Sequence, residues 1–400
     1  VIFPDTHASV KSPEQPLSGL RVLELGALVA APYAGMLLSD LGAEVIKVEP
    51  PEGDMAREFP PFVEGESAFF MSVNRGKRSV RLNLKDPDAL AWVIRMAQSS
   101  DVLLHNYRTG VAERLGLGYD DLKVANPGLV YCAISGFGPT GPMASRPAID
   151  LLFQAESGML AITGEPGGKP VKVGTNAADV YAATMATACI NAALVKRATS
   201  GLGCRVDVSL RDAFLALQAN WFSSFLATGI QPSRLGTASP FTAPTEVFPT
   251  RDSHIVLAVV NDKHWHIFCK ALGLVNEERF ETNEGRVKHA GELRTAVIAA
   301  LAHSTTDAWL TVLDEAGIPA GRVMDYEAVT ADPQIQHNQM VLSLDHPAAG
   351  EIRVQGVPFW FDGRKHQPIV APPTLGQHTK AVLADFGCDE ETAARLASVR

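Results

Sequence analysis

The first fifty residues alternate strand, helix, strand, and that alternation commits the chain to an α/β fold with a mostly parallel sheet. Leu20-Arg-Val-Leu-Glu-Leu25 is a short apolar-rich run closed by Gly26, as a buried strand should be. Pro32 suits a helix first turn, and Met36, Leu37 and Leu41 carry an apolar stripe to Gly42, a good residue for stopping it. Glu44-Val-Ile-Lys-Val48 is the next strand, ended by Pro50-Pro51. The pattern then repeats. Arg78 to Leu84 alternates like a strand, Asp86-Pro87 opens a helix to about Ser99, and strands are expected over 101–104 and 129–134, with a short helix over 120–125 between them. In such a sheet, ligands bind in the loops beyond the strand C-termini. The first of these turns, Gly26-Ala-Leu-Val-Ala-Ala-Pro32, is not G-x-G-x-x-G, and no G-x-x-x-x-G-K-[ST] occurs. Nicotinamide, flavin and nucleoside-triphosphate chemistry therefore gains no support.

After Val180 the pattern changes to helix. Tyr181, Met185, Ala188, Ala192 and Val195 form one stripe, ended by Gly201-Leu-Gly203. A strand follows at 206–210 and an apolar helix over about 211–229. Residues 230–251 are punctuated by Pro and Gly and read as loop. Residues 252 to about 325 read as a smaller α+β unit, with a strand at 254–260 and helices near 263–272, 290–303 and 306–316. Loop and strand then lead to a final helix after Asp389. Thr6 to Pro16, polar with two prolines, reads as a loose lead-in.

Charge and cysteine usage narrow the function classes. With 44 acidic against 35 basic residues the net charge is −9, so no global positive field recruits nucleic acid or an anionic membrane. The five cysteines are odd in number and have no C-x-x-C spacing, which fits neither a disulfide framework nor a zinc site. There is no run of eighteen apolar residues and no signal-like segment in the first twenty, so a cytoplasmic protein is expected.

Few motifs carry chemistry outright. His264-x-His266 has no third ligand at a recognisable spacing, and no metal site is expected. Asn74-Arg-Gly-Lys-Arg78 is a basic turn that is either a solvated loop or a phosphate contact. Asp179 stands just before the long apolar helix. It is either a helix-capping carboxylate or a nucleophile at the positive end of the helix, with backbone N–H donors for a developing oxyanion beside it.

Several stretches together resemble the family III CoA-transferases, which share a superfamily with formyl-CoA transferases and α-methylacyl-CoA racemases. They are Leu41-Gly-Ala-Glu-Val-Ile-Lys-Val-Glu-Pro50, Asn74-Arg-Gly-Lys-Arg-Ser79, Ser135-Gly-Phe-Gly-Pro-Thr-Gly-Pro142, Gly201-Leu-Gly-Cys-Arg-Val-Asp-Val-Ser-Leu210 and Gly317-Ile-Pro-Ala-Gly-Arg322. The resemblance runs from Leu17 to the terminal Leu375-Gly-Gln-His-Thr. It implies a Rossmann-like large domain (1–225, completed by a return segment 326–400), a small domain at 226–325, and two chains threaded through each other as an interlocked homodimer. It implies an acyl-CoA and a carboxylic acid as substrates, with no prosthetic group. Asp179 matches the family's nucleophilic aspartate. Coenzyme A contacts map to Leu28 near the thiol end, to Leu82 and Lys85 at the adenine and a phosphate, to Asn106 and Tyr107 near the nucleotide, to Arg114 at a phosphate, and to Gly136 and Phe137 beside the pantetheine.

Departures also matter. The racemases have a His where this chain has Ile149, before Asp150, and a Glu that falls here at Pro249. A two-base proton exchange lacks its partners, which leaves racemase as the secondary enzyme reading and a non-catalytic acyl-CoA-binding protein as the alternative outside catalysis.

Overall fold

A computed structural model describes residues 15–398, which fall into two compact units. The expected lead-in before residue 15 lies outside the described residues. Of the described residues, the larger unit is formed by 15–159, 173–226 and 334–398; the smaller by 160–172 and 227–333.

The larger unit is built on a six-stranded sheet. Its strands are β1 (Arg21–Leu25), β2 (Glu44–Glu49), β3 (Lys77–Arg81), β4 (Val102–His105), β5 (Val130–Ser135) and β6 (Cys204–Ser209). Every pairing is parallel, in the order β3-β2-β1-β4-β5-β6. That is the doubly wound order, whose topological switch falls between β1 and β4. The helices of this unit include α1 (Ala30–Asp40), α2 (Pro87–Gln98), α3 (Asp150–Glu156) and the 24-residue α4 (Ala177–Ser200), and α1 and α4 cover one face of the sheet. The inward face of α4 is small: Ala178, Ala182, Ala183 and Ala186 let it lie close against α1, with Ile190 and Leu194 filling the far end. By length and apolar composition α4 could cross a membrane, yet this face packs into the core. The other face of the sheet is covered by α2 and by the C-terminal helices α9 (Thr379–Asp385) and α10 (Glu390–Ala397). The return of the chain end to this sheet is therefore a packing fact: Val382, Leu383 and Leu396 share a core with Leu23, Ile46 and Val80.

Buried charge runs through the sheet. The register sets Glu24 of β1 opposite Lys47 of β2, and both side chains are fully buried. Lys47 Nζ donates to Glu24 Oε1 at 3.0 Å and to the Gly26 carbonyl at 2.7 Å, and lies 2.8 Å from Asp54. Lys77 Nζ lies 2.8 Å from the other Glu24 oxygen and donates to Pro32 O and Asn74 Oδ1. Arg75 forms a buried fork with Asp40. The basic turn 74–78 is thus neither a solvated loop nor a phosphate contact. Its two inner cations are structural, and only Arg78 reaches the surface, to Glu44 and Asp385.

The smaller unit has an antiparallel sheet of β7 (Thr245–Pro249), β8 (His254–Ala258) and β9 (Ala320–Arg322), in the order β9-β8-β7. Helices α6 (Asp262–Leu272), α7 (Ala290–Leu301) and α8 (Thr306–Glu315) close a core around Phe248, Ile255, Trp265, Phe268 and Leu313. The stretch 230–251, expected to be loop, supplies the strand β7. Segment 160–172 joins this unit because Gly236 N–H donates to Gly164 O and Arg234 reaches Ala161 O and Gly168 O. The helix expected over 211–229 is two: α5 (Leu210–Ala216), and a second over Ala219–Thr228. Between them the Gln218 side chain turns back to Phe214 O and Ser157. Two further strands, β10 (Val341–His346) and β11 (Gly350–Gln355), form an antiparallel hairpin in the larger unit.

Candidate active site

The loops beyond the C-terminal ends of β1, β2 and β3 enclose a cavity of about 500 Å³. Gly26 and Ala27 line it from β1, Glu49 to Met55 from β2, Asn83 to Lys85 from β3, and Tyr107 from β4. The β1 turn is held in a costly shape. Leu28 has φ +65°, a region that side chains other than Gly rarely occupy. Its N–H donates to Asp54 Oδ1 at 3.0 Å, while Asn106 accepts from Ala27 N–H and donates to Ala27 O. Asp54 is in turn fixed by Lys47, so the buried ion cluster under the sheet edge supports the turn above it. Strain over-determined in this way is a mark of functional loops.

Tyr107 is set by a buried histidine. Tyr107 N–H donates to His105 Nδ1, so the proton of the neutral ring is on Nε2, 2.8 Å from the Tyr131 hydroxyl. Burial, with Arg205 nearby, lowers the His105 pKa to about 4, so it stays neutral.

Asp179 sits on the same unit, at the start of α4. Asn176 is the N-cap and Asp179 the third helical residue, so the capping role expected as one reading does not belong to Asp179. That role is taken from another helix. Asp150, first residue of α3, accepts from Ala178 N–H at 2.8 Å and Asp179 N–H at 3.3 Å through Oδ1. Its Oδ2 accepts from Gln154 Nε2 at 2.6 Å, and Gln154 is tied to Val173 N–H and Thr175 O. Two of the N–H donors envisaged for an oxyanion are therefore occupied. Asp179 is half-buried and makes no ion pair among the described residues. Burial first, then the Asp150 charge, pushes its pKa up to about 7 against the hydrogen bond from Asn176. A carboxylate so placed is basic for its kind and poorly solvated, which are the properties of a nucleophile.

The sequence-derived residues divide clearly. Lys85 and Tyr107 line the cavity, and Leu28 and Asn106 shape its β1 turn. Gly136 and Phe137 follow β5. A Cβ on Gly136 would lie 3.0 Å from Phe153, and Phe137 packs edge-on against that ring, which joins this turn to the helix carrying Asp150. The Leu82 side chain is buried in the core among Val48 and Val80, so only its backbone could meet a ligand. Arg114 is exposed on a short helix and is not among the cavity's lining residues. Asp54, Asp150 and Gln154 were missed. The i, i+4 spacing of Asp150 and Gln154 marks a helical pair, but nothing in a sequence tells which N–H groups such a pair will meet. Among the described residues no three His, Cys, Asp or Glu side chains are arranged to hold a metal; His266 is engaged with Asn276 and Glu281.

Comparison with known proteins agrees with this architecture. Residues 17–379 match the model of CoA-transferase family III. The chain is 39% identical to the succinate–glutarate CoA-transferase of Agrobacterium fabrum over 94% of its length and 97% of that protein's. It is 36% identical to the succinyl-CoA:glutarate CoA-transferase of Mus musculus, covering 93% of this chain and 86% of that one. A crystal structure of a CAIB/BAIF family protein from Brucella suis superposes with a TM-score of 0.85 at 34% identity, over 93% of this chain and 99% of that one. This chain belongs to CoA-transferase family III.

Proposed function

We propose that the protein moves CoA from a dicarboxylic acyl-CoA such as succinyl-CoA to a second dicarboxylate of the glutarate kind, with Asp179 as covalent nucleophile. The observation that carries the proposal is the half-buried Asp179 carboxylate at the head of α4, whose neighbouring helix N–H groups are already taken by Asp150. The names of the similar enzymes supply the substrate class. Asp179 attacks the thioester carbonyl, and CoA leaves as thiolate with a mixed anhydride behind it. The thiolate attacks the Asp179 carbonyl of the anhydride, giving an aspartyl-CoA thioester and releasing the donor acid. The acceptor carboxylate attacks that thioester, expelling the thiolate and forming a second anhydride. Thiolate attack on the acceptor's carbonyl then yields the new acyl-CoA and frees Asp179. No water is consumed, so excluding it from the anhydrides is the main demand on the site. Ile149 and Pro249 offer no proton-transfer group, which weighs against racemisation.

The test is to incubate the protein with succinyl-CoA, trap with hydroxylamine and map the modified peptide, then screen acceptor acids for labelled CoA exchange. A hydroxamate on the Asp179 peptide and transfer to dicarboxylates are expected. Exchange confined to other acids would remove the substrate class.

Coenzyme A is assigned to the cavity beneath the strained Leu28 turn, with the adenosine end near Tyr107 and a phosphate at Lys85. Lys85→Ala should raise the KM for acyl-CoA by about five- to tenfold, as for one lost charge-assisted contact, and leave the acceptor KM and kcat nearly unchanged. Arg114→Ala is expected to act in the same direction, and unchanged kinetics would remove that residue from the assignment. An interlocked homodimer is proposed on the family resemblance. Tagged and untagged protein mixed under native conditions should then fail to exchange subunits, whereas rapid mixing would rule out threading. All five cysteines are unpaired, which suits a reducing cytoplasm.

A further inference from the structure

The head of α4 has an arrangement that the transfer chemistry alone does not explain. A carboxylate at the third position of a helix ordinarily turns back and takes the free N–H groups of its own first turn, which stabilises its charge and dulls it. Here those donors are already taken. Asp150 accepts from both Ala178 and Asp179 N–H through one oxygen, and Gln154 holds its other oxygen at 2.6 Å. Gln154 is fully buried and anchored at both ends of its amide, to Val173 N–H and Thr175 O, so Asp150 cannot swing away. Phe153, between Asp150 and Gln154 on α3, is locked against Phe137. A second carboxylate is thus bolted beside the first.

We infer that Asp150 is a positioning residue for Asp179: it occupies the helix donors that would otherwise capture the Asp179 carboxylate, and sets its own charge behind it, so that the attacking oxygen stays free and basic. The inference rests on Asp179 being the nucleophile. The groups acting on Asp179 are Asp150 from α3 and Asn176 from its own turn, together with burial. Removing the Asp150 charge removes a repulsion that raises the Asp179 pKa, and removing its oxygens also releases the donors that lower it. Both changes make Asp179 a weaker nucleophile, and neither touches the coenzyme cavity.

Two variants separate these effects. Asp150→Asn keeps an oxygen acceptor for the two N–H groups and deletes the charge; Asp150→Ala deletes both. Acylation of Asp179 by succinyl-CoA is followed by mass spectrometry in single turnovers across pH 5–9, alongside steady-state transfer. The wild-type rate should rise through about pH 7. In Asp150→Asn the midpoint should move to lower pH by about one unit, and in Asp150→Ala further. The plateau rate should fall about tenfold or more, while the KM for acyl-CoA stays within about twofold. Because the variants ionise earlier, their deficit should be largest at high pH and shrink near pH 5.5, a crossing that loosened folding would not produce. Unshifted midpoints with wild-type rates in both folded variants would overturn the inference, as would failure of both to fold, which would make Asp150 a structural cap only. If wild type itself forms no adduct on Asp179, it is the nucleophile assignment that falls, and this is seen without any Asp150 variant.

Discussion

Asp179→Asn should yield a folded protein that no longer transfers CoA, with a loss in kcat on the order of 10⁴-fold or more, as expected when a covalent nucleophile is removed. The amide has nearly the same shape, keeps the hydrogen bond to Asn176 and leaves the Asp150 cap untouched, so the loss would report the missing charge and not the missing fold. Binding of acyl-CoA, measured by quenching or calorimetry, should be retained. Stability should change with a sign that excludes a helix-stabilising role. Burial and Asp150 raise the Asp179 pKa from 3.8 to about 7 in the native state. Native protein therefore binds this proton more tightly than unfolded chain, and stability declines as pH rises between those two values. At pH 8 the charged side chain is a liability, and its removal should stabilise the protein by about 1–3 kcal/mol. Below pH 4 the two proteins should converge. A carboxylate serving the helix would give the opposite result at pH 8, a loss of up to about 1 kcal/mol. Denaturant unfolding at pH 4 and pH 8 distinguishes them. Wild-type turnover by the variant, with its mass confirming no deamidation, would end the nucleophile assignment.

The parallel sheet was legible because buried strands have a simple signature, a short apolar run ended by Gly or Pro, and because β1, β2 and the helix between them follow it closely. The charges inside the sheet were not. Glu24 and Lys47 stand within runs read as strand and Lys77 within the basic turn, and nothing local says that parallel register will set Glu24 opposite Lys47 and within reach of Lys77. The turn 74–78 shows the same limit: its cations were sought at the surface or on a phosphate, while their partners Asp40 and Glu24 lie more than thirty residues earlier in the chain. At Asp179 the choice between cap and nucleophile could not be made from the local sequence, because the deciding residue, Asp150, belongs to another helix. Leu82 fits a strand and the family pattern equally well, and only its burial shows that its side chain belongs to the core. Periodicity reports which face of an element is buried; pairing across elements depends on register, which it does not report.

The buried ion cluster leads to the second large expected effect. Glu24→Gln should destabilise the larger unit by about 3–5 kcal/mol, the scale for breaking a fully buried ion pair from one side. Glu24 is the shared counter-ion of two buried ammonium groups. Lys47 retains Asp54 and Glu49 after the change. Burial disfavours its charge, but the surrounding carboxylates outweigh that and raise its pKa. Lys77 would keep direct hydrogen bonds only to the neutral acceptors Pro32 O and Asn74 Oδ1, with the carboxylates of Asp54 and Asp40 acting on it without direct contact. Its pKa is already lowered to about 8, by burial first and by Lys47 as well, with Glu24 the main opposing influence. Relaxation of the glutamate site is restricted, since α1 passes so close that a Cβ on Gly35 would lie 2.0 Å from Glu24 Oε2. The deficit should depend on pH in a defined direction. An amine with a native pKa below its unfolded value of about 10.5 is bound less tightly to its proton when folded, so its penalty is greatest below pH 8 and is relieved as pH rises above it. Glu24→Gln should therefore lose most at pH 6 and less at pH 9, where Lys77 can stand neutral without its counter-ion. Because the cluster holds Asp54, and Asp54 holds the Leu28 turn, the same variant should weaken acyl-CoA binding at temperatures where it is still folded. Equal stability deficits at pH 6 and pH 9 would show that the Lys77 charge is not what Glu24 balances.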